Sequence, residues 1–332
     1  MPIQVKRCHL CRSGDQEFQS YAEIRGWHYV TCGKCGFVFL DPQPTHEELQ
    51  IFYDSQYQYD RTSYKNAIER QDLWLDYLER ALGSTGNLLE IGCSYGYFLN
   101  AARKRGWTVR GVEPGKDATD FATQKLGLEV IKGTITDVEN DDGHFDAVVA
   151  WHVLEHDANP RRFLKICADL LKPGGILGLR VPNLESTVAQ LAGKTWQWLS
   201  PPEHVCMYSK STLVPLLEEF GLETVVCTSF KGNARNLWFE VFRARTKSML
   251  NAALNWGQGG PVAGSFLPPP RYENRAWYRA TERLFEVALW PVEAIAKSQR
   301  ERAGKEAELV VFVRKPKDGF AGVVYEEFRL EF

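Results

Sequence analysis

The sequence has no long apolar run. Nowhere do its 332 residues approach the ~20 consecutive apolar positions that a membrane span needs. It has almost no net charge, −2 in total, so the chain as a whole lacks the basic surface of a nucleic-acid binder. Its start lacks the apolar core of a secretion signal, carrying Lys6, Arg7, Cys8 and His9 instead; the cytoplasm is the expected location. What is present is ordinary globular material, 44% hydrophobic and 25% charged, enough for a full core. The length suits one large domain with an appendage. Charge is uneven: residues 233–304 hold eleven Lys/Arg against six Glu, leaving −7 on the rest.

Eight cysteines divide into two groups. Cys8, Cys11, Cys32 and Cys35 form two C-x-x-C pairs separated by twenty residues, and Cys93, Cys167, Cys206 and Cys227 are scattered. Paired knuckles in a chain without a secretion signal read as metal ligands, not disulfides. Two tight turns aiming four sulfurs at one centre fit tetrahedral Zn2+, in a closed and therefore structural site. Residues 18–30 between the knuckles read as strand material, and His9 and His28 read as bystanders. A segment this small needs the metal to fold. Beyond it, Thr45 and Glu48 make a capping box, and a helix over 64–82 puts Ile68, Leu75, Leu78 and Leu82 on one stripe.

From Asn87 the pattern becomes strand–helix alternation, with strands expected near 88–91, 107–113, 128–131, 145–151 and 176–181. This predicts a parallel sheet covered on both faces, with its ligand at the carboxyl ends of the strands. A glycine loop, Gly92-Cys-Ser-Tyr-Gly96, follows the first of them. Glu113 ends the second, where a carboxylate can accept the hydroxyls of a ribose. Together they fit a nucleoside-containing cofactor.

Glu90-Ile-Gly-Cys-Ser-Tyr-Gly96 resembles the first motif of class I S-adenosylmethionine-dependent methyltransferases. Glu113-Pro114 resembles their ribose-binding acid, and Phe145 to His156 their fourth-strand motif. Leu171-Lys-Pro-Gly-Gly175 resembles the turn before their fifth strand. The resemblance covers about residues 8–230 and resumes near 307–315. With the ribbon and Asp41-Pro-Gln-Pro-Thr-His-Glu-Glu-Leu49, the chain is similar to a bacterial subgroup acting on sugars, glycolipids or secondary metabolites. The resemblance implies an α/β Rossmann-like seven-stranded sheet with an N-terminal zinc ribbon. It also implies an enzyme that moves the methyl group of S-adenosyl-L-methionine to a small-molecule acceptor by in-line displacement. Carried over residue by residue, Gly92, Ser94 and Gly96 would face the methionine moiety, with Cys93 and Tyr97 in the same loop. Glu113 with Pro114 would take the ribose, Gly133, Thr134 and Ile135 the adenine edge. Trp151 and His152 would line the site, and Glu90 would organise the loop. Ser94 stands where this loop often has glycine.

An alcohol acceptor needs a base. Residues 195–209 leave the carboxyl end of the fifth strand and are expected to roof the cofactor. His204 is the first candidate there, with His152 on the fourth-strand loop and Tyr208 as further choices. The domain reading is a ribbon at 1–45, a helical linker at 46–84, and a catalytic domain at 85–232 and 305–316. A helical insertion at 233–304 and a tail at 317–332 complete it. The insertion reads as a cap packing on the core or on a second copy of the chain in a homodimer, or as a lid or membrane-surface element for an anionic or lipid-linked acceptor. Two other functions compete. One is an RNA methyltransferase gripping through the ribbon, whose five Lys/Arg against three acids make a poor phosphate track. The other is a cofactor-binding homologue with different chemistry.

Overall fold

The computed structural model describes residues 3–45, 48–49, 71–138, 143–230 and 307–317. The insertion at 233–304, the tail beyond Lys317 and the linker helix before Gln71 lie outside the described residues. The chain divides into two compact units, one gathering Met1–Tyr57, Pro182–Lys210 and Thr228–Leu309, the other Gln58–Val181, Ser211–Cys227 and Val310–Phe332.

The first unit is built on a four-stranded sheet of order β1-β2-β3-β9. Strands β1 (Phe18–Ile24) and β2 (Trp27–Cys32) form an antiparallel hairpin. Its two-residue turn has Arg25 at φ 54° and Gly26 at φ 80°, a double left-handed turn matching the twist of the strands. Strand β3 (Val38–Leu40) pairs with β2, and β9 (Cys206–Met207) pairs with β3. Thus a segment from far along the chain completes the ribbon sheet, which the sequence did not signal. Tyr29, Phe37, Phe39, Leu40 and Tyr208 are fully buried inside this unit, with Phe39 meeting Phe18 edge-on at 5.0 Å. The capping box forms as expected: Glu48 N donates to Thr45 Oγ1 at 3.2 Å and Thr45 N to Glu48 Oε2 at 2.8 Å.

The second unit carries a seven-stranded sheet of order β10-β11-β8-β7-β4-β5-β6. Its members are β4 (Asn87–Ile91), β5 (Thr108–Glu113), β6 (Val130–Lys132), β7 (Phe145–Trp151), β8 (Leu171–Pro182), β10 (Glu223–Phe230) and β11 (Glu308–Arg314). Strand β4 runs parallel to both β5 and β7. The winding direction therefore reverses between β4 and β7, the switch point where such sheets bind ligands. Helices α1 (Gln71–Leu82), α2 (Tyr97–Lys104), α3 (Lys116–Gln124) and α4 (Pro160–Leu170) accompany these strands. In unit one α5 (Thr187–Ala192) follows β8. Helix α6 (Lys210–Glu218), whose residues from Ser211 on belong to unit two, precedes β10. Continuous apolar runs make the central strands: Ala147, Val148, Val149 and Ala150 are all fully buried, as a strand covered on both faces requires.

Local chemistry sets the element ends. Asn159 Oδ1 accepts from Arg162 N at 3.3 Å ahead of Pro160, a capped start with proline in the first turn. At the far ends, Arg314 donates to Ala81 O at 2.6 Å beside α1, and Lys315 to Ala168 O and Leu171 O at 2.8 Å beside α4. Cations there satisfy the carbonyls a helix leaves open. Arg105 draws α1 against the sheet through Asp76 and Glu79, and Trp107 Nε1 donates to Glu79 at 3.1 Å. Strand β8 begins at Leu171, earlier than the 176 expected. Leu171 pairs with Phe145, an irregularity absorbs the Pro-Gly-Gly stretch, and Gly174 N donates to Lys315 O at 2.7 Å.

Candidate functional site

The loop after β4 is held in an unusual backbone shape. Gly92 has φ 70°, Ser94 φ 48° and Gly96 φ 73°. A Cβ on Gly92 would come 2.5 Å from Val153 Cγ2, and one on Gly96 would come 2.6 Å from Leu128 Cδ1. Glycine is thus required at both places by space as well as by dihedral. Ser94 takes the same left-handed region without glycine's freedom, a backbone strain of the kind that marks functional loops. Gly96 leads directly into α2, so the open amides of that helix face the loop.

Glu113 ends β5 beside this loop, with 2% exposure. Its Oε2 accepts the Ser94 amide at 2.9 Å and its Oε1 the Gly115 amide at 2.8 Å. Burial raises its pKa, and the two amides pull it back in part. Glu90 lies on β4, 4% exposed. Burial, reinforced by the Glu113 charge, pushes its pKa well above the ordinary carboxylate range. Glu90 Oε2 and Ser94 Oγ are buried with no hydrogen-bond partner among the described residues. Buried polar atoms of this kind are uncommon and call for a partner. Two neighbouring acids, an orphaned hydroxyl and a strained glycine loop fit a cofactor that brings hydroxyls and positive charge.

The other expected residues fall in differing positions. Cys93 contributes backbone to the loop, while its Sγ points to the sheet, where a Cβ on Gly111 would meet it at 2.6 Å. Burial, with Glu90 and Glu113 nearby, raises its thiol pKa far above the usual range, so it packs as a neutral thiol. Tyr97 opens α2 with its ring 5.8 Å from Phe121, and Pro114 is exposed. Gly133, Thr134 and Ile135 follow β6. Thr134 N donates to Asp137 Oδ2 at 2.7 Å, and Ile135 is buried. Trp151 ends β7 half-buried, with its ring among Trp74, Phe98 and Phe312 at 5.7–6.1 Å. Its Nε1 is buried with no hydrogen-bond partner among the described residues. His152 follows at φ 56°, with Nδ1 3.1 Å from Glu155 Oε1.

His204 and Tyr208 lie in the ribbon-bearing unit. His204 Nδ1 is 2.7 Å from the Trp198 carbonyl. A carbonyl only accepts, so Nδ1 is the donor in this bond. The ring lies flat against Trp198, centroids 5.6 Å apart and planes 10° apart. Tyr208 has its ring 5.4 Å from Phe37, and its carbonyl accepts from Leu184 N at 2.8 Å.

The four knuckle cysteines converge, with all Sγ atoms within 4.8 Å of one another. Cys8–Cys35 and Cys11–Cys32 are each 3.6 Å apart. A tetrahedron with metal–sulfur bonds of about 2.3 Å has edges near ~3.8 Å, so the set fits such an ion. The Cys8–Cys35 hydrogen bond raises the first thiol and draws the second down to about 6, and the backbone amides of Leu10, Cys11 and Phe37 favour thiolate. Ser13 was missed in the sequence: its Oγ lies 3.1 Å from both Cys11 and Cys32 Sγ. A hydroxyl two residues past the second cysteine was its only signal. His9 stays outside the set. Its Nε2 faces Gln43 at 2.8 Å, and burial, then the Arg12 charge, lowers it to about 4.

With this geometry, relatives can be compared. A family described as "Methyltransferase domain" matches residues 67–227. The ubiquinone biosynthesis O-methyltransferase of Caulobacter vibrioides is 30% identical over 174 residues, 49% of this chain and 67% of that protein. The protein of the same name from Coxiella burnetii is 33% identical over 109 residues, 31% of this chain and 47% of that one. The match thus spans about half the length of the Coxiella protein. A solved S-adenosylmethionine-dependent methyltransferase from Archaeoglobus fulgidus is 17% identical with a TM-score of 0.49, covering 80% of this chain and 99% of that one. The chain belongs to the S-adenosylmethionine-dependent methyltransferase family.

Proposed function

We propose that the protein transfers a methyl group from S-adenosyl-L-methionine to a hydroxyl of a small-molecule acceptor, with a sugar, glycolipid or secondary metabolite as the acceptor class. The observation that carries the reading is the pair of buried acids beside the strained glycine loop. Glu113 has lone pairs left for the two ribose hydroxyls. Glu90 and the Ser94 hydroxyl, buried without a hydrogen-bond partner among the described residues, supply the partners that an ammonium-bearing methionine moiety needs. A cationic cofactor stabilises both carboxylates, which otherwise lie buried at a cost. The two ubiquinone biosynthesis relatives are O-methyltransferases by name, and this favours oxygen as the accepting atom.

When bound, the cofactor supplies an activated methyl group; the protein's part is positioning and proton removal. We assign the base to His204, an imidazole whose orientation the Nδ1 bond to the Trp198 carbonyl fixes. His152, oriented by Glu155, is the second choice. Tyr208, ring against Phe37, is the third. Cys8, Cys11, Cys32 and Cys35 would hold one structural Zn2+, and Ser13 would donate to its sulfur ligands. No helix among the described residues is long and apolar enough to cross a membrane. The test is incubation with methyl-labelled cofactor and fractionated small molecules from cells, with RNA as a parallel arm. Label in a small hydroxyl-bearing product supports the reading. Label in RNA alone, or in none, overturns it.

A further inference from the structure

We infer that the four-cysteine ribbon is the positioning device for His204, with Tyr29 as the residue that holds it. The inference rests on His204 being the base. Tyr29 lies on β2 three residues before Cys32 and is fully buried. Its phenol donates to the His204 carbonyl at 2.7 Å. Burial, then the nearby Glu203 and Cys206, keeps that phenol protonated, so it remains a donor.

The neighbouring bonds repeat the pattern. Tyr29 pairs with Leu40 across β2 and β3, and the Leu40 amide donates to Val205 O at 2.9 Å. Phe39 and Val38 pair with Cys206 and Met207. Four consecutive residues, His204 to Met207, are therefore each tied to β2 or β3. Those strands are joined by the second knuckle, where Cys32 N donates to Phe37 O at 2.9 Å and Gly36 N to Cys32 O at 2.7 Å. This turn carries two of the four converging thiols, so a bound metal would tie its shape to the first knuckle. Strand β9 is two residues long and cannot keep its register without β3. The chain of dependence runs from the metal to the knuckle, to the β2–β3 pair, to the backbone of residue 204, and so to an imidazole whose tautomer the Trp198 carbonyl sets. Tyr29 is a positioning residue in this scheme, acting through His204.

The experiment uses the full-length zinc-loaded chain with histidine isotopically labelled on its ring nitrogens, and His204→Gln to identify the resonance. In the wild type, His204 should show one tautomer, protonated on Nδ1, with slow proton exchange. Tyr29→Phe keeps the ring and removes one hydrogen bond. It should speed that exchange by about fivefold, the worth of one net hydrogen bond, and mix the tautomers. Chelation of the zinc should do at least as much. Affinity for the demethylated cofactor serves as the control and should stay within about twofold in both cases, since its site is built from β4 and β5. A wild-type tautomer and exchange rate in both Tyr29→Phe and the metal-stripped chain would overturn the inference. Normal turnover in His204→Gln would instead remove the base assignment, with the exchange data still deciding whether the ribbon holds residue 204.

Discussion

Glu90 and Glu113 are two acids buried side by side, which costs stability in the absence of a cation. Burial raises Glu90 above its ordinary value, so the protonated carboxyl is favoured in the folded chain. Its contribution to stability is then fully present below the unfolded value of about 4.3. It is lost as pH rises through the folded value. Glu90→Gln removes that loss. The variant should melt higher than wild type at pH 8, with a flatter dependence of Tm on pH between 5 and 8. It should also bind the cofactor at least ~10-fold more weakly, since one charge-assisted contact is gone. Thermal melts across pH with a cofactor titration check both halves. A variant that melts lower at pH 8 would contradict the account. At His204, substitution by alanine should lower kcat by ~10²-fold while leaving cofactor affinity intact, the mark of a lost base. His152→Ala is the comparison in the same labelled-methyl assay, because it stands beside the glycine loop and should disturb binding as well. Near-normal kcat in His204→Ala with loss in His152→Ala would reverse the two roles.

At the scale of elements, the ribbon should stand or fall with its metal. Cys32→Ser should lower bound zinc from one ion per chain to nearly none and open β1–β3 to hydrogen exchange, while β4–β7 keep their protection. Elemental analysis and exchange mass spectrometry make the check; a protected hairpin in a zinc-free variant would refute it. The sequence reveals most of the elements because their signals are local. Apolar runs such as Val148–Ala150, the glycines at 92 and 96, and the Asn159-Pro160 start each act within a few residues. What it hides is long-range. Cys206–Met207 looks like loop, since two residues carry no period, and only Val38 and Phe39, far away in sequence, make it a strand. The start of β8 at Leu171 depends on Phe145 and Lys315. Trp151 ends β7 as its apolar run suggests, but its ring neighbours Trp74, Phe98 and Phe312 come from three elements distant in sequence. Ser13 becomes a partner of the thiols only once two knuckles are brought together.

For the whole molecule, two units answer two needs: one presents a glycine loop and two acids at the switch point of a seven-stranded sheet, and the other builds a four-cysteine sheet. The claim on which the rest depends is that Gly92–Gly96 and Glu113 hold S-adenosylmethionine. Calorimetric titration with the demethylated product, S-adenosylhomocysteine, tests it without knowing the acceptor. The wild type should bind one equivalent with micromolar affinity, about −8 kcal/mol. Glu113→Ala combined with Gly92→Trp should show no heat of binding, because the ribose partner is removed and the loop is filled. Absence of binding by the wild type, or unchanged binding by the double variant, would contradict the account.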